Sequence, residues 1–182
     1  KFMFNAYAIA QNREWWRFFT HGVLHANFPH LFVNMLTLYF FGPLVELSFC
    51  SPELFGETMG TVNYVLLYVG ALFFSSIFTF FKQRNNQYYN ALGASGAVSA
   101  IVYTAILLFP TSKLYIFFAI PMQAWIYGIL YLWYSSYMSK KEVDNVGHDA
   151  HFWGAAYGFV LPILMKPILI IAFLWELKNS IF

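Results

Sequence analysis

Long apolar runs are the feature of this sequence that most restricts its fold. Several of them approach or exceed the ~20 residues that a helix needs to cross about 30 Å of hydrocarbon. Of the 182 residues, 60% are hydrophobic and only 10% are charged, whereas about a quarter are charged in soluble domains. Because hydrocarbon holds no water to satisfy open backbone groups, such a chain must pair its backbone within helices. The sequence therefore predicts an integral, all-α membrane protein.

The apolar runs predict five membrane-spanning helices. We place them at 30–49, 61–81, 91–109, 114–134 and 151–166, with Pro121 breaking the fourth. An apolar tail at 167–177 is too short for a sixth crossing. Residues 12–29 are rich in Trp and Phe, which favour the headgroup level, so we expect an interfacial loop there. Residues 138–150 form the most polar loop, and the whole of 1–182 is assigned to one membrane domain.

Composition also narrows the classes of ligand. The net charge of +2 is spread along the chain, so no clustered basic face suggests nucleic acid. Cys50 is the single cysteine, which excludes an intrachain disulfide. His21, His25 and His30 could suggest a metal, but no carboxylate stands among them as in the zinc motif H-E-x-x-H. We therefore expect neither a metal nor a cofactor.

Chain direction brings a few polar residues together. If the five spans alternate in direction, the first, third and fifth begin on the same face of the membrane. Those starts carry His30 with Asn34, Ser95, and His151. Polar and ionisable groups inside a membrane cost free energy and usually serve a function. The sequence therefore predicts a functional site at this face.

Ser95 lies in the stretch GASG, between small residues. Ala97 stands where the hydrolase elbow G-x-S-x-G needs its last glycine, so that soluble fold is excluded. Packing is one explanation, because Ala91, Ser95 and Ser99 share a helix face and allow another backbone to come close. Nucleophilic catalysis is the other explanation, and it requires a base beside the hydroxyl.

His151 is the candidate base. His151, Gly154 and Gly158 follow one stripe of a helix. Packing of the two glycines against the third span would bring the imidazole beside Ser95, where it could take the hydroxyl proton and return it to a leaving amine. The alternative is a histidine in water at a loop end, a description that fits His148 better. Asp149 at the helix start is the ordinary dipole partner, so we predict a dyad rather than a triad.

His30 and Asn34 lie four residues apart and share a helix face. An imidazole N–H and an amide NH2 could join the backbone N–H of Ser95 in stabilising an oxyanion. The alternative is hydrogen bonding between helices, worth about 1 kcal/mol.

Four motifs carry a family resemblance. EWWRFFTH, HANFPHLFVNM, GASGAVSA and AHFWGAAYG occur in this order between residues 14 and 158. With these motifs the chain resembles the rhomboid intramembrane serine proteases. The resemblance implies Ser95 as nucleophile and His151 as general base, with an oxyanion site made by His30, Asn34 and the Ser95 amide. Residues expected to support the site are His25, Gly93, Gly96, Gly154, Gly158, Trp16 and Arg17.

The resemblance also implies a setting. It implies a six-helix core whose first helix is missing here, a cap at 138–150, and a lateral gate between spans one and four. The expected partners are the lipid bilayer and transmembrane protein substrates, in a bacterial inner membrane. Two features depart from the family pattern. Ser99 stands where many members have a tyrosine stacked on the catalytic histidine, and Tyr103 is a possible substitute.

The second departure concerns orientation. Seven of the ten Lys and Arg residues lie on the proposed catalytic face, namely Lys1, Arg13, Arg17, Lys82, Arg84, Lys140 and Lys141. The positive-inside rule puts that face in the cytoplasm, whereas the resemblance puts it outside, and we follow the resemblance. Two other functions are considered: an inactive relative that binds transmembrane helices, and a transporter or channel lined by His30, Asn34 and His151. The transporter would need inverted repeats and paired broken helices, and we find neither.

Overall fold

The structure, a computed structural model, describes residues 1–116, 119–141 and 147–181 and is mostly helical. The helices are α1 (Ala6–Asn12), α2 (Arg17–Thr20) with a 3-10 turn at His21–Val23, α3 (Phe28–Cys50), α4 (Glu57–Gln83), α5 (Ser95–Leu108), α6 (Ala124–Lys141), α7 (His148–Met165) and α8 (Ile168–Ile181). Two strands, β1 (Lys113–Ile116) and β2 (Ile120–Gln123), lie between α5 and α6.

Only part of the predicted span count is supported. Among the described residues, α3 and α4 are long and apolar enough to cross a membrane. The pair α7 and α8 would make a third span if taken together, although it is bent by 114°. Helix α5 is apolar but has 14 residues, a length of about 21 Å at 1.5 Å per residue. The first three predicted spans nevertheless coincide with α3, α4 and α5 to within about four residues.

The predicted fourth span, 114–134, is wrong in its first half, whereas its second half is helical. Its first half is a hairpin in which β1 and β2 pair antiparallel, from Lys113 opposite Gln123 to Ile116 opposite Ile120. Pro121 therefore lies in a strand and breaks no helix. Helix α6 begins only at Ala124 and runs to Lys141, beyond the apolar run. Hydrophobicity does not mark where a helix ends, and basic residues in a last turn are favoured by the helix dipole.

The two predicted loops also need correction. Residues 138–141 belong to α6 and residues 148–150 to α7, so much of the expected cap at 138–150 is helical. Its middle, 142–146, lies outside the described residues. The expected interfacial loop at 12–29 contains α2 and the 3-10 turn. Short helices of this kind give no hydrophobic period of their own, so the sequence hides them.

Local signals explain where α3 and α8 start. The Asn27 side chain caps α3 by accepting a hydrogen bond from the His30 N–H at 2.9 Å, and Pro29 fits the first turn because it has no N–H to satisfy. Pro167 separates α7 from α8. A proline interrupts the hydrogen-bond ladder, which accounts for the sharp bend at this point.

Helix α5 lies at the centre of the bundle, and every residue from Gly96 to Leu107 is buried. On one side it packs with α3 and α4 through an apolar cluster that includes Phe49, Leu67 and Ile101. On another side a second cluster, which includes Val102, Tyr103 and Ala155, joins it to α6 and α7. Through these two clusters α5 therefore packs on α3, α4, α6 and α7.

Candidate active site

Two glycines of α7 let this helix touch the backbone of α5. A Cβ at Gly154 would overlap the Gly96 carbonyl, and one at Gly158 would overlap the Ala100 carbonyl. Thr104 also donates a hydrogen bond to the Gly158 carbonyl at 2.7 Å. The second contact lies four residues after the first in both helices, so α5 and α7 run parallel. Their first turns lie at the same end of the bundle.

Ser95 is the first residue of α5 and is half-buried. Gly93, two residues earlier, has a φ of +119°, a conformation that favours glycine. A Cβ at Gly93 would lie 2.6 Å from Cε1 and 2.9 Å from Nε2 of His30. The structure thus places the His30 imidazole against the backbone just before Ser95.

Asn34 is buried, with 4% of its surface exposed. Its amide Nδ2 donates to the His30 carbonyl at 2.8 Å, within its own helix. The His25 ring contacts the His30 ring edge-on, with centroids 5.2 Å apart. Burial, and secondly the nearby His30, lowers the pKa of His25. His25 and Asn34 therefore both contact His30.

His21 holds the same segment, a role that the sequence analysis missed. Its Nδ1 lies 3.2 Å from the Gly93 carbonyl, and the residue is 7% exposed. Burial lowers the pKa of His21, because a charged imidazole loses its hydration there. No spacing in the sequence links His21 to Gly93, so only the fold reveals this contact.

The N-terminal segment fixes the loop before α5, and this role was also missed. Phe4 and Ala91 exchange two backbone hydrogen bonds, of 2.9 and 3.0 Å. The Asn5 amide donates to the Gln87 and Tyr89 carbonyls, each at 3.1 Å. The position of Asn5 among the mostly apolar residues 2–10 is the one sequence signal of this contact.

Trp16 and Arg17 lie in the same N-terminal region. Arg17 pairs with Glu14 at 2.5 Å and donates to the Met3 carbonyl at 2.7 Å. Trp16 is about half exposed, with 46% of its surface accessible. Arg17 thus ties the start of α2 to the N-terminal segment.

His151 lies in the first turn of α7 and is half-buried. The Tyr131 ring stacks on its imidazole, with centroids 6.2 Å apart and planes 28° apart. The His148 ring contacts it edge-on at 5.8 Å. His148 was expected in water, but this is wrong, since it is only 6% exposed. The Tyr134 ring of α6 contacts the His148 ring, with centroids 5.6 Å apart. The apolar run ended α6 too early, so the sequence did not predict a helix that covers His148.

Asp149 contacts two other helices at this end of the bundle. Its Oδ2 lies 3.7 Å from Nζ of Lys82, at the end of α4. Its Oδ1 accepts a hydrogen bond from Ser139 of α6. Asp149 therefore ties the ends of α4 and α6 to the start of α7.

The tyrosine on His151 comes from an unexpected helix. Position 99 is a serine, and its Oγ lies 2.7 Å from the Tyr131 hydroxyl. Tyr103, the substitute considered from the sequence, donates instead to the Gly128 carbonyl at 2.5 Å. The ring therefore belongs to α6, while α5 provides its hydrogen-bond partner. Across the described ranges no three His, Cys, Asp or Glu residues are grouped to hold a metal.

The apolar helices indicate an integral membrane protein. The serine and histidines that they surround are side chains of the kind that hydrolases use. Residues 12–168 match the family model of the Rhomboid domain. Because this match covers most of the 182 residues, the chain belongs to the rhomboid family.

Curated relatives agree with this assignment. The chain is 29% identical over 155 residues to the putative rhomboid protease YdcA of Bacillus subtilis, covering 84% of this chain and 68% of that protein. It is 32% identical over 145 residues to RHOMBOID-like protein 12, mitochondrial, of Arabidopsis thaliana, covering 75% of this chain and 42% of that protein. Rhomboid protease AarA of Providencia stuartii is 25% identical over 111 residues, which cover 57% of this chain and 37% of AarA. The matched region is thus under half of the length of two of these relatives.

Proposed function

We propose that this chain is an intramembrane serine protease that uses a dyad of Ser95 and His151. The observation that carries the proposal is the parallel contact of α5 and α7 at Gly154 and Gly96. Ser95 opens α5 and His151 lies in the first turn of α7. The geometry therefore brings a hydroxyl-bearing and an imidazole-bearing helix start to the same end of the bundle.

The proton transfers and the covalent steps use these two groups and water. The His151 imidazole takes the proton of the Ser95 hydroxyl while Oγ attacks the carbonyl carbon of the scissile bond. When the bond to nitrogen breaks, the imidazole returns this proton to the leaving amine. Water then hydrolyses the acyl-enzyme by the same route. Neither a metal nor a cofactor is part of this scheme.

The developing oxyanion needs hydrogen-bond donors. The first N–H groups of a helix have no acceptor within it and point toward the positive end of the helix dipole, which suits the Ser95 N–H. The His30 ring against Gly93 supports a second donor beside it. Asn34 uses one N–H on the His30 carbonyl, and its amide group has another. We assign these three groups to the oxyanion site.

Transmembrane proteins are the proposed substrates. A helical substrate must unwind before a serine can reach its carbonyl, so small or helix-breaking residues near the cleaved bond are expected. We place the protein in a bacterial inner membrane. Residues 1–182 form one membrane domain, which contacts both the lipid bilayer and the transmembrane substrate. One relative is mitochondrial by name, so the family is not confined to that membrane.

Labelling with a fluorophosphonate tests the dyad, because this probe reacts with an activated serine. Full-length protein in detergent micelles should be labelled and should cleave a transmembrane substrate. Ser95→Ala and His151→Ala should abolish both while the protein stays folded. Ser76→Ala is the matched control, since the Ser76 hydroxyl is buried and donates to Leu72 in its own helix. Labelling that survives Ser95→Ala refutes the nucleophile.

An inactive rhomboid-like protein that binds transmembrane helices is the second candidate. The name of the Arabidopsis relative, rhomboid-like rather than protease, is the observation that favours it. Folded wild-type protein that takes no label, yet binds a transmembrane helix equally well with and without Ser95→Ala, would support this candidate.

A further inference from the structure

Tyr131, the aromatic neighbour of His151, is hydrogen-bonded through its hydroxyl to α5, the helix that begins with Ser95. Tyr131 stacks on the His151 ring with centroids 6.2 Å apart, and its hydroxyl lies 2.7 Å from Ser99 Oγ. Ser99 follows Ser95 by four residues, so both lie on one face of α5. One side chain of α6 thus connects the two helices that carry the proposed dyad.

We propose that Tyr131, held in place by Ser99, is a positioning residue that sets where the His151 imidazole stands relative to Ser95. This inference rests on the proposed function. It adds a third helix to the active site, because α6 supplies a part that neither α5 nor α7 holds.

Tyr131 has little freedom to move. The rings of Tyr127 and Tyr103 lie 5.8 and 5.9 Å from its own. Tyr103 is in turn bonded to the Gly128 carbonyl in the same helix as Tyr131. With both the ring face and the hydroxyl contacted, the side chain presents a fixed plane to His151. A fixed plane against an imidazole restricts its broad χ2 torsion.

Placement of this kind matters for proton transfer. A shift of about 1 Å in a reacting group can cost on the order of a hundredfold in rate. Ser99 is 5% exposed, so a large side chain there would occupy the place of the Tyr131 hydroxyl. The two positions are therefore complementary: a small residue on α5 admits a large one from α6.

The experiment compares full-length variants in detergent micelles by fluorophosphonate labelling rate, and by kcat and KM on a transmembrane substrate. Tyr131→Leu should lower the labelling rate and kcat by about tenfold or more while KM stays unchanged. Tyr137→Leu is the matched control on α6, because Tyr137 is 45% exposed and stacks on Trp133. It should label at the wild-type rate.

Milder variants keep the test valid if Tyr131→Leu fails to fold. Tyr131→Phe and Ser99→Ala each remove one side of the hydrogen bond, so both should slow labelling equally and the double variant no further. The exchange of Ser99→Tyr with Tyr131→Ser keeps the total volume and returns a ring from α5. It should recover activity that Tyr131→Ser alone loses.

A spectroscopic readout separates this inference from the proposed function. In histidine-labelled protein, the ring protons of His151 should shift downfield in Tyr131→Leu, because a stacked ring shields them. Labelling that survives Ser95→Ala would refute the protease. Unmoved His151 signals, a wild-type labelling rate in Tyr131→Leu, or additive effects of Tyr131→Phe and Ser99→Ala would overturn the positioning role.

Discussion

Single residues set how closely the helices approach each other. Gly154 and Gly158 have no Cβ, and the carbonyls of α5 occupy the space where one would lie. A backbone cannot rotate away as a flexible side chain can, so the penalty for adding an atom is greatest here. The glycine stripe of α7 was visible in the sequence, but its partner carbonyls were not.

Gly154→Ala should therefore destabilise the protein by about 2 kcal/mol or more, the upper part of the range for overpacking. Gly128→Ala is the control, since its Cβ would lie at ordinary contact distances, 3.4 Å from the end of the Ile106 side chain and 3.7 Å from the Tyr103 ring. That variant should be neutral or stabilising, because alanine favours a helix by about 1 kcal/mol. Unfolding in denaturing detergent, followed by circular dichroism, measures both. Equal losses would contradict the backbone contact.

His21 should make stability depend on pH. Its folded pKa is lowered from 6.5, chiefly by burial, so the unfolded chain takes up a proton that the folded protein rejects. The free energy of unfolding should fall as pH drops below about 6.5, by at most ~1.4 kcal/mol per pH unit for this group. His21→Gln keeps a donor for the Gly93 carbonyl and should flatten the slope.

Denaturation midpoints between pH 5 and 8 measure this dependence. Above pH 7 the midpoints of wild type and His21→Gln should change with pH in parallel, because His21 is then neutral in both the folded and the unfolded protein. His25, whose pKa is also lowered, should leave the variant with a smaller slope of the same sign. Identical slopes below pH 6.5 would show that His21 is not the group responsible.

At the scale of elements, apolar runs predicted α3, α4 and α5 well. They failed at the hairpin and at the end of α6. Hydropathy indicates whether a segment lies in hydrocarbon or in water, but it does not indicate whether the segment is a helix or a strand. Strand pairing between Lys113 and Gln123 depends on partners ten residues apart, which no periodicity records. The contact of residues 4 and 5 with the loop before α5 is likewise non-local.

This contact predicts a role for Asn5. Its oxygen caps α1 by accepting from Ala8 at 2.7 Å, while its NH2 group donates to Gln87, Tyr89 and Asn90. Asn5→Asp keeps the cap but loses the donors, so the loop at 85–94 should open more easily, by about 1–3 kcal/mol. Amide hydrogen exchange of Ala91 should accelerate accordingly.

Asn86→Asp provides the comparison. Asn86 is exposed, and its oxygen accepts from the Tyr88 N–H at 3.1 Å, a contact that an aspartate can keep. The aspartate loses the donation to Gln83 Oε1 at 3.0 Å, which is exposed and local. This variant should exchange like wild type. If both variants exchange alike, the long-range hydrogen bonds of Asn5 do not hold the loop.

At the scale of the whole molecule, contacts between the ends of neighbouring helices define two opposite faces of the helix bundle. Lys82 meets Asp149 on the face of Ser95, while Lys166 donates to the Leu54 carbonyl at 2.7 Å on the other. The basic residues favour a cytoplasmic position for the first face, and the family resemblance favours the outside. Orientation is therefore the property on which the two arguments differ.

Cysteine labelling decides the orientation. In a Cys50→Ser background, Tyr88→Cys lies on the Ser95 face, at a position that is 83% exposed, and Ser112→Cys lies on the opposite face. An impermeant maleimide should label Tyr88→Cys in intact cells and Ser112→Cys only after lysis. The reverse pattern would show that the charge bias governs. Labelling of both from one side would refute the two-face arrangement.

The amino-acid sequence alone was enough to predict a membrane environment, a helical fold and membership of the rhomboid family, and it supplied candidates for the residues of a hydrolytic site. These follow from composition and from motifs that are local in the chain. Three features became visible only in the folded bundle: Tyr131 of α6 stacks on His151, His148 is buried, and His21 contacts the Gly93 carbonyl. Each of these depends on contacts between side chains far apart in sequence, which form only when the bundle closes.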